Sequence, residues 1–398
     1  MAESTISHEN KVYLVMGKRT PFGKFGGSLK DLSTLDLSLA ASKSLVDELK
    51  IDPKLIDQVI VGNVIPSATD TIYVSRHIGL HLGCGEDKAA YNLNRLCGSG
   101  IQSILDAARL IKLNEANCVL AGGVENMSAI PHLTYGARFG TKYGGLKNVD
   151  MLLDTLTDKY TGKPMAITAE NMAQKYDISR EQCDEYSYQS HLKATKANKD
   201  GLLDSEIAPI ELKKHTVSHD EHVRDEVSLE DLNKLRASFV KDGVVTAGSA
   251  SGIVDGAAFV LVASEKFVKE NKLTPLAQIV DGGVIGVDPS YMGIGPVPCI
   301  QNLLTKNQLK VDDIDLFEIN EAFAAQVISC KQELKIPDEK LNIWGGAISR
   351  GHPLGATGTR ISLTLARQLK ENNKQLGVAS ACIGGGQGIA LLLKNYND

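Results

Sequence analysis

Paired cysteines, long apolar runs and an excess of basic residues are all missing from this sequence. The seven cysteines, at 84, 97, 118, 183, 299, 330 and 382, are odd in number, scattered and without a CxxC pair. That distribution suits neither a disulfide framework nor a zinc knuckle and fits a reducing compartment best. Apolar stretches such as 389–393 fall far short of the roughly 18 to 20 residues that span a bilayer. Lysine and arginine number 43 against 48 aspartate and glutamate, a net charge of −5, so no global basic field attracts nucleic acid or an anionic membrane. An anionic ligand must be met by local groups. The opening MAESTISHEN carries two glutamates and no arginine, unlike a removable presequence, and the closing NYND is no peroxisomal address.

What is present is an ordinary globular composition, 43% hydrophobic and 23% charged over 398 residues. It predicts two or three compact units, or one large α/β body with an insertion. Strands are expected at 12–16, 59–62, 89–94 and 118–121, with helices over 34–49 and 76–82. After the strand at 89–94 comes Cys97-Gly98-Ser99-Gly100. The spacing of Ile101, Ile104, Leu105, Ala108 and Ile111 then gives one apolar helix face. From 128 to 249 the texture changes to helical stretches and polar loops, including the charged run 213–230, and reads as an insertion. A strand at 257–263 resumes the α/β pattern, and 273–277 links to a second half.

That second half echoes the first. A strand ending at Asn63 precedes the Cys97 turn, and one ending at Asn320 precedes the His352 turn. Both turns enter amphipathic helices, and VLAGG at 119–123 is matched by VASACIGGG at 378–386. A duplicated βαβ body is predicted, with Cys97 and His352 as equivalent helix starts facing one another across a pseudo-twofold axis.

The chemistry concentrates in the turns. A thiol attacks carbonyl carbon as thiolate, and a helix N-terminus or an adjacent imidazole lowers its pKa; Cys97 is placed for both, although a tight turn could simply need a small residue there. His352, fixed by Pro353 before a helix, can serve as a base or fill a turn. GATGTR lacks the lysine of a Walker loop, and the glycines after Cys382 do not follow a dinucleotide fingerprint, so a hairpin carrying a thiol is expected there. Asn320 could orient a water or cap the next helix, and locally capping is the better reading.

NRLCGSG (94–100), NEAFA (320–324), GHPLGATG (351–358) and CIGGGQG (382–388) occur in this order, with KRTPFGKFGG at 18–27. Together they resemble the thiolase family over nearly the whole chain. The resemblance implies an α/β thiolase fold: two βαβαβαββ halves in a five-layer αβαβα arrangement with an inserted loop domain. The parts would be 10–127 for the N-terminal half, 128–249 for the coenzyme A-binding insertion, 250–274 for the return, and 275–398 for the C-terminal half. It also implies Cys97 as acyl-accepting nucleophile, His352 as its activator and Cys382 as a second acid and base. Asn320 would hold a water in one oxyanion hole, and the N–H groups of Cys97 and Gly384 would form the other. Arg224 and Ser251 match coenzyme A contacts and Met165 an acyl-pocket methionine.

No metal or prosthetic group is implied, coenzyme A and acyl-CoA being substrates. Relatives are homodimers or homotetramers. Pro164, TDTIYVSRHIGL and MGIGPVP are most similar to the mitochondrial 3-ketoacyl-CoA thiolases of β-oxidation, with acetoacetyl-CoA thiolase as the alternative. The compartment implied is the mitochondrial matrix, the cytoplasm being the alternative. Ser349-Arg350 stand where Ala-Leu is common before GHP, and Ser249 replaces a frequent Asn. A carrier-dependent condensing enzyme would want His or Asn at position 382. A non-catalytic acyl-CoA or sterol binder, or a nucleotide-binding α/β protein, would not need Cys97 and His352 together.

Overall fold

Nine principal strands and eight principal helices organise residues 11–396, the part of the chain that the computed structural model describes; the presequence reading at 1–10 lies outside these residues, as does the end of the C-terminal signal reading at 397–398. In chain order they are β1 (Val12–Arg19), α1 (Thr34–Leu49), β2 (Gln58–Gly62), α2 (Val74–Leu82), β3 (Ala89–Leu93), α3 (Ser99–Lys112), β4 (Cys118–Asn126), α4 (Met165–Tyr176), α5 (Arg180–Lys199), β5 (Val254–Ser264), β6 (Ala277–Gly286), α6 (Pro296–Lys306), β7 (Leu316–Ile319), α7 (Ala324–Leu334), α8 (Leu354–Glu371), β8 (Leu376–Ile383) and β9 (Gln387–Asn395). Helix α1 matches its predicted limits because Ser33 and Asp36 form a reciprocal capping box at its start. Strands β4 and β5 run beyond the predicted stretches.

The duplication is visible in strand order. The first half runs β1-β5-β4-β2-β3 and the second β6-β9-β8-β7. In each, the first two pairings are antiparallel and the next is parallel. A single parallel bridge, Phe317 to Leu341, stands where the second half would need a counterpart of β3. The halves meet edge to edge where Val12–Leu14 pair with Ala277–Ile279. Both strands carry a register shift just past that segment, which allows the sheet to bend there into two layers.

Period-two alternation then builds the layers. Val12 and Leu14, Val119 and Ala121, Val260 and Val262, and Ala379 and Ala381 face one central core with α3 and α8. Their neighbours Tyr13, Val15, Leu120 and Phe259 face α1 and α2, while Val378 and Leu392 face α6 and α7. Helix, sheet, helix, sheet, helix is the five-layer arrangement that the resemblance implies. Helix α8 is buried from Leu354 to Gln368, as a helix between two sheets must be.

The central helices cross at glycines. A Cβ on Gly100 would lie 2.3 Å from the backbone nitrogen of Thr359, and one on Gly358 would lie 2.3 Å from that of Ile101. Gly100 and Gly358 are therefore equivalent across the pseudo-twofold. This corrects the predicted equivalence of Cys97 and His352: counting back from the two glycines, Cys97 corresponds to Gly355 and His352 to Asn94.

Helices α4 and α5 of the inserted segment dock on the second half, where Ala173, Ile178 and Cys183 pack with Ala324, Ala325 and Ile348. A buried ionic cluster joins the insertion to both halves. Arg19 binds Asp220 through both terminal nitrogens, at 2.6 and 3.0 Å, and Glu206 at 2.7 Å, and Arg350 binds the second Asp220 oxygen at 3.0 Å.

Candidate active site

Cys97 lies in a single 3-10 turn, Leu96–Gly98, leading into α3. The residue before it, Leu96, is held at φ +47°, a left-handed conformation that costs a side chain of this kind on the order of 1 to 3 kcal/mol. Local hydrogen bonds hold it there. Asn94 Oδ1 accepts from Leu96 N at 2.9 Å while Asn94 Nδ2 donates to the Val64 carbonyl at 3.0 Å, and Ser99 Oγ accepts from Arg95 N and donates to the Leu96 carbonyl.

The backbone N–H groups of Gly384 and of Cys97 itself favour a charged Cys97 sulfur. Burial nevertheless pushes the thiol up to about 11, against the pull of those donors and with the help of the Glu125 charge. This corrects the expected lowering: in the resting site Cys97 is a thiol.

His352 starts the chain into α8, its backbone N–H bonded to the Gly252 carbonyl at 2.9 Å. Its Nδ1 lies 2.6 Å from Thr357 Oγ1, and the Thr357 hydroxyl hydrogen is directed to the Pro353 carbonyl at 2.9 Å. The threonine oxygen must therefore accept, which puts the ring proton on Nδ1 and leaves Nε2 bare. Asn320 Nδ2 donates to that Nε2 at 3.3 Å. Burial, reinforced by the Arg360 charge, lowers His352 to about 3, so the imidazole is neutral.

Asn320 caps nothing. Helix α7 begins at Ala324 with Phe323 as its cap residue and no side-chain capping bond, because the strand end turns the Asn320 amide toward His352 instead. Its Oδ1 is buried and has no protein partner.

Cys97, His352, Met165, Ser251 and Gly384 line one cavity of about 80 Å³. It shares Leu156, Met165, Ser251, Phe323, His352 and Leu354 with an adjoining, mostly apolar cavity of about 420 Å³ that Leu153 and Phe239 also line. Cys382 is the penultimate residue of β8, at the β8–β9 hairpin. It is fully buried behind the wall, packed on Met292, Ala322, Met165 and Phe323. Burial first, then the nearby Cys97 and Cys330, keep its thiol well above the ordinary range.

Arg224 is exposed and lines neither cavity; its backbone N–H donates to His191 Nδ1 at 3.3 Å. Arg350, two residues before His352, points the other way into the Asp220 cluster and the Trp344 carbonyl, so the unusual Ser-Arg pair leaves the histidine side open. Ser249 closes a buried turn through Thr246 N and the Val244 carbonyl. A larger cavity of about 670 Å³ beside α5, lined by Tyr186, Lys193 and Lys331, has no cysteine or histidine in its wall. Among the described residues no His, Cys, Asp and Glu cluster could hold a metal, and no helix is long and apolar enough to cross a membrane.

Thr357 and Glu125 escaped the sequence reading. A threonine inside GATG carries no distinguishing signal, but a glutamate following the apolar run VLAGGV is an available one.

The family described as "Thiolase, N-terminal domain" matches residues 12–266, and "Thiolase, C-terminal domain" matches residues 273–395. The chain belongs to the thiolase family. It is 49% identical over 389 residues to the mitochondrial 3-ketoacyl-CoA thiolase of Mus musculus, covering 96% of this chain and 98% of the relative. A probable acetyl-CoA acyltransferase of Staphylococcus aureus is 45% identical, with 97% and 99% covered. The crystal structure of human mitochondrial 3-ketoacyl-CoA thiolase in complex with CoA superposes with a TM-score of 0.96 at 48% identity, covering 97% of this chain and 98% of that one. Among thiolases, then, the pattern of Cys97, His352, Asn320 and Cys382 has the chain-wide context that four short motifs alone did not supply.

Proposed function

We propose that the protein is a 3-ketoacyl-CoA thiolase, cleaving a 3-ketoacyl-CoA with coenzyme A to acetyl-CoA and an acyl-CoA shortened by two carbons. One observation carries the reading: Cys97 and a histidine with a bare Nε2 line the same cavity. The names of the mouse and human relatives support the β-oxidation substrate over a dedicated acetoacetyl-CoA reaction.

In the first half-reaction the Cys97 proton passes to His352 Nε2 as the sulfur attacks C3. The thiol lies high and the imidazole low, so the transfer accompanies attack and no thiolate is stored beforehand. The bond from C2 to C3 breaks, leaving its electron pair as the enolate of acetyl-CoA. The enolate oxygen is held by the His352 N–H and by a water on the otherwise unpartnered Asn320 Oδ1, and Cys382 gives its proton to C2.

In the second half-reaction the Cys382 thiolate takes the proton of an incoming coenzyme A thiol, which attacks the acyl-Cys97 thioester. The thioester oxygen sits between the N–H groups of Cys97 and Gly384. Cys97 leaves as thiolate and recovers its proton from His352. No metal or prosthetic group is assigned a part.

Ser251 and Met165 guide the pantetheine and acyl ends, and Arg224 meets a nucleotide phosphate outside the mouth. Strand β3 is paired on one side only, and its Tyr91, with Ile72 and Tyr73 of the segment before α2, is exposed. We assign this edge to a homodimer, and the mitochondrial matrix as the compartment. The test is thiolysis of 3-ketoacyl-CoA substrates of increasing length, followed by loss of the enolate absorbance. Cleavage of substrates longer than acetoacetyl-CoA supports the proposal; cleavage of acetoacetyl-CoA alone, or of none, contradicts it.

A further inference from the structure

Glu125, the penultimate residue of β4, is a carboxylate with no solvent exposure and no basic partner among the ion pairs of the described residues. Four donors converge on it instead. Oε1 accepts from Ile65 N at 2.9 Å and Asn63 Nδ2 at 3.2 Å, and Oε2 accepts from Gly355 N at 2.9 Å and Val64 N at 3.1 Å. With two donors on each oxygen, a proton on either would face an N–H, so the geometry is built for the ionised form.

The donors come from two places that matter. The segment after β2 supplies Asn63, Val64 and Ile65. The Val64 carbonyl holds Asn94, which in turn holds the N–H of Leu96, the left-handed residue before Cys97. Gly355 is the second residue of α8, three residues after His352, and by the Gly100–Gly358 equivalence it is the counterpart of Cys97 in the other half. There is no room to substitute for the carboxylate by moving the helix, because a Cβ on Gly355 would meet the Gly62 and Val124 carbonyls at 2.6 and 2.7 Å.

We propose that Glu125 is a positioning residue: its carboxylate clamps the turn that carries Cys97 to the helix start that carries His352, and so fixes the separation of nucleophile and base. The inference rests on the roles given to Cys97 and His352 above. Glu125 reaches no substrate. Its charge also acts at a distance, as one of the influences that raise the Cys97 thiol. Burial pushes the Glu125 carboxyl itself up to about 7 while the N–H groups of Ile65, Gly355 and Val64 pull it back.

The Glu125→Gln variant separates these effects. An amide can satisfy two of the four donors and must aim its own N–H₂ at the others, so the turns shift by a fraction of an ångström to an ångström. The expected result is a loss of about 100-fold in kcat with KM for coenzyme A within about threefold of wild type. The pH profile of Cys97 alkylation by iodoacetamide should move to lower pH, because a negative charge has been removed. A folded variant with wild-type kcat overturns the inference. So does a parallel loss of kcat and coenzyme A binding with an unmoved alkylation profile, which marks a merely structural bolt.

If Glu125→Gln does not fold, Asn63→Ala removes one donor and keeps the carboxylate. It should lower kcat about tenfold at unchanged KM, and an unchanged kcat would again overturn the assignment. Acetyl labelling of wild-type Cys97 is run alongside: its absence sinks the thiolase mechanism itself, which is a different outcome from a Glu125 variant that works normally.

Discussion

Thr357 Oγ1 sits 2.6 Å from His352 Nδ1 and donates its own hydrogen to Pro353, so a threonine five residues along decides which nitrogen of the proposed base is free. Thr357→Val is nearly the same size but cannot accept. We expect kcat to fall by roughly 100-fold with KM little changed, since a mis-set tautomer disables an imidazole base. Thr357→Ser should retain most of the activity. Equal activity in valine and wild-type enzymes, measured by steady-state thiolysis, would remove the tautomer argument.

Asn320→Asp replaces the amide that donates to His352 Nε2 with a carboxylate that can only accept. His352 should then protonate well above its wild-type value of about 3, because an adjacent negative charge favours imidazolium. A protonated histidine cannot take the Cys97 proton, and kcat should drop by about 100- to 1000-fold, the range for a lost oxyanion donor. An NMR titration of the His352 ring checks the first half of this prediction, and kcat checks the second.

Arg350→Met removes one of the two guanidinium groups on buried Asp220 and leaves Arg19 on both of its oxygens. Losing a hydrogen bond between charged groups costs about 1.5 to 3 kcal/mol, so thermal unfolding should move down by a few degrees. Activity below that temperature should stay near wild type, because Arg350 faces away from His352. Burial alone would raise Asp220, but the Arg19 and Arg350 charges win and hold it below the usual carboxylate range. A depressed carboxylate stabilises the fold above its unfolded pKa and loses that contribution as the pH falls through its folded value. Wild type should therefore lose stability below about pH 4, and less steeply in the variant.

The buried histidines should make a separate contribution between pH 6.5 and 4. Burial lowers His352 to about 3 and, with the charges of His222, Arg224 and Arg350 adding to it, His191 to about 4. Over this window the unfolded chain binds protons at both histidines that the folded chain does not. Each histidine should contribute a rise of unfolding free energy with pH of up to about 1.4 kcal/mol per pH unit, while the buried Glu125 and Glu318 carboxyls, raised to about 7, contribute the opposite slope above their ordinary range. Urea midpoints measured from pH 4 to 7 test the slope, and His191→Asn should reduce it.

Much of this site can be read from sequence because strand-to-helix turns advertise themselves. Cys97 stands before a glycine-spaced helix and His352 before a proline and a helix, and the layers follow from simple alternation along β1, β4 and β5. What sequence hides is orientation. Asn320 reads locally as a cap, and only the tertiary approach of α8 to the β7 end shows its amide turned to His352. Arg350 looks like a charge beside the base until Asp220, 130 residues away, is seen to hold it on the opposite side. The thiol of Cys97 reads as acidified by its helix, whereas desolvation at the cavity wall outweighs the nearby N–H donors. Strand order identifies the duplication, but the residue-level equivalence needs the Gly100–Gly358 crossing.

The central claim is that Cys97 carries the acyl group between two half-reactions. Incubation with acetyl-CoA labelled in the acetyl group, followed by rapid quench and peptide mapping, measures it directly. The account predicts label on the peptide containing Cys97, released on adding coenzyme A, and neither label nor turnover in Cys97→Ser. Label on another residue, or turnover retained in that variant, would contradict it.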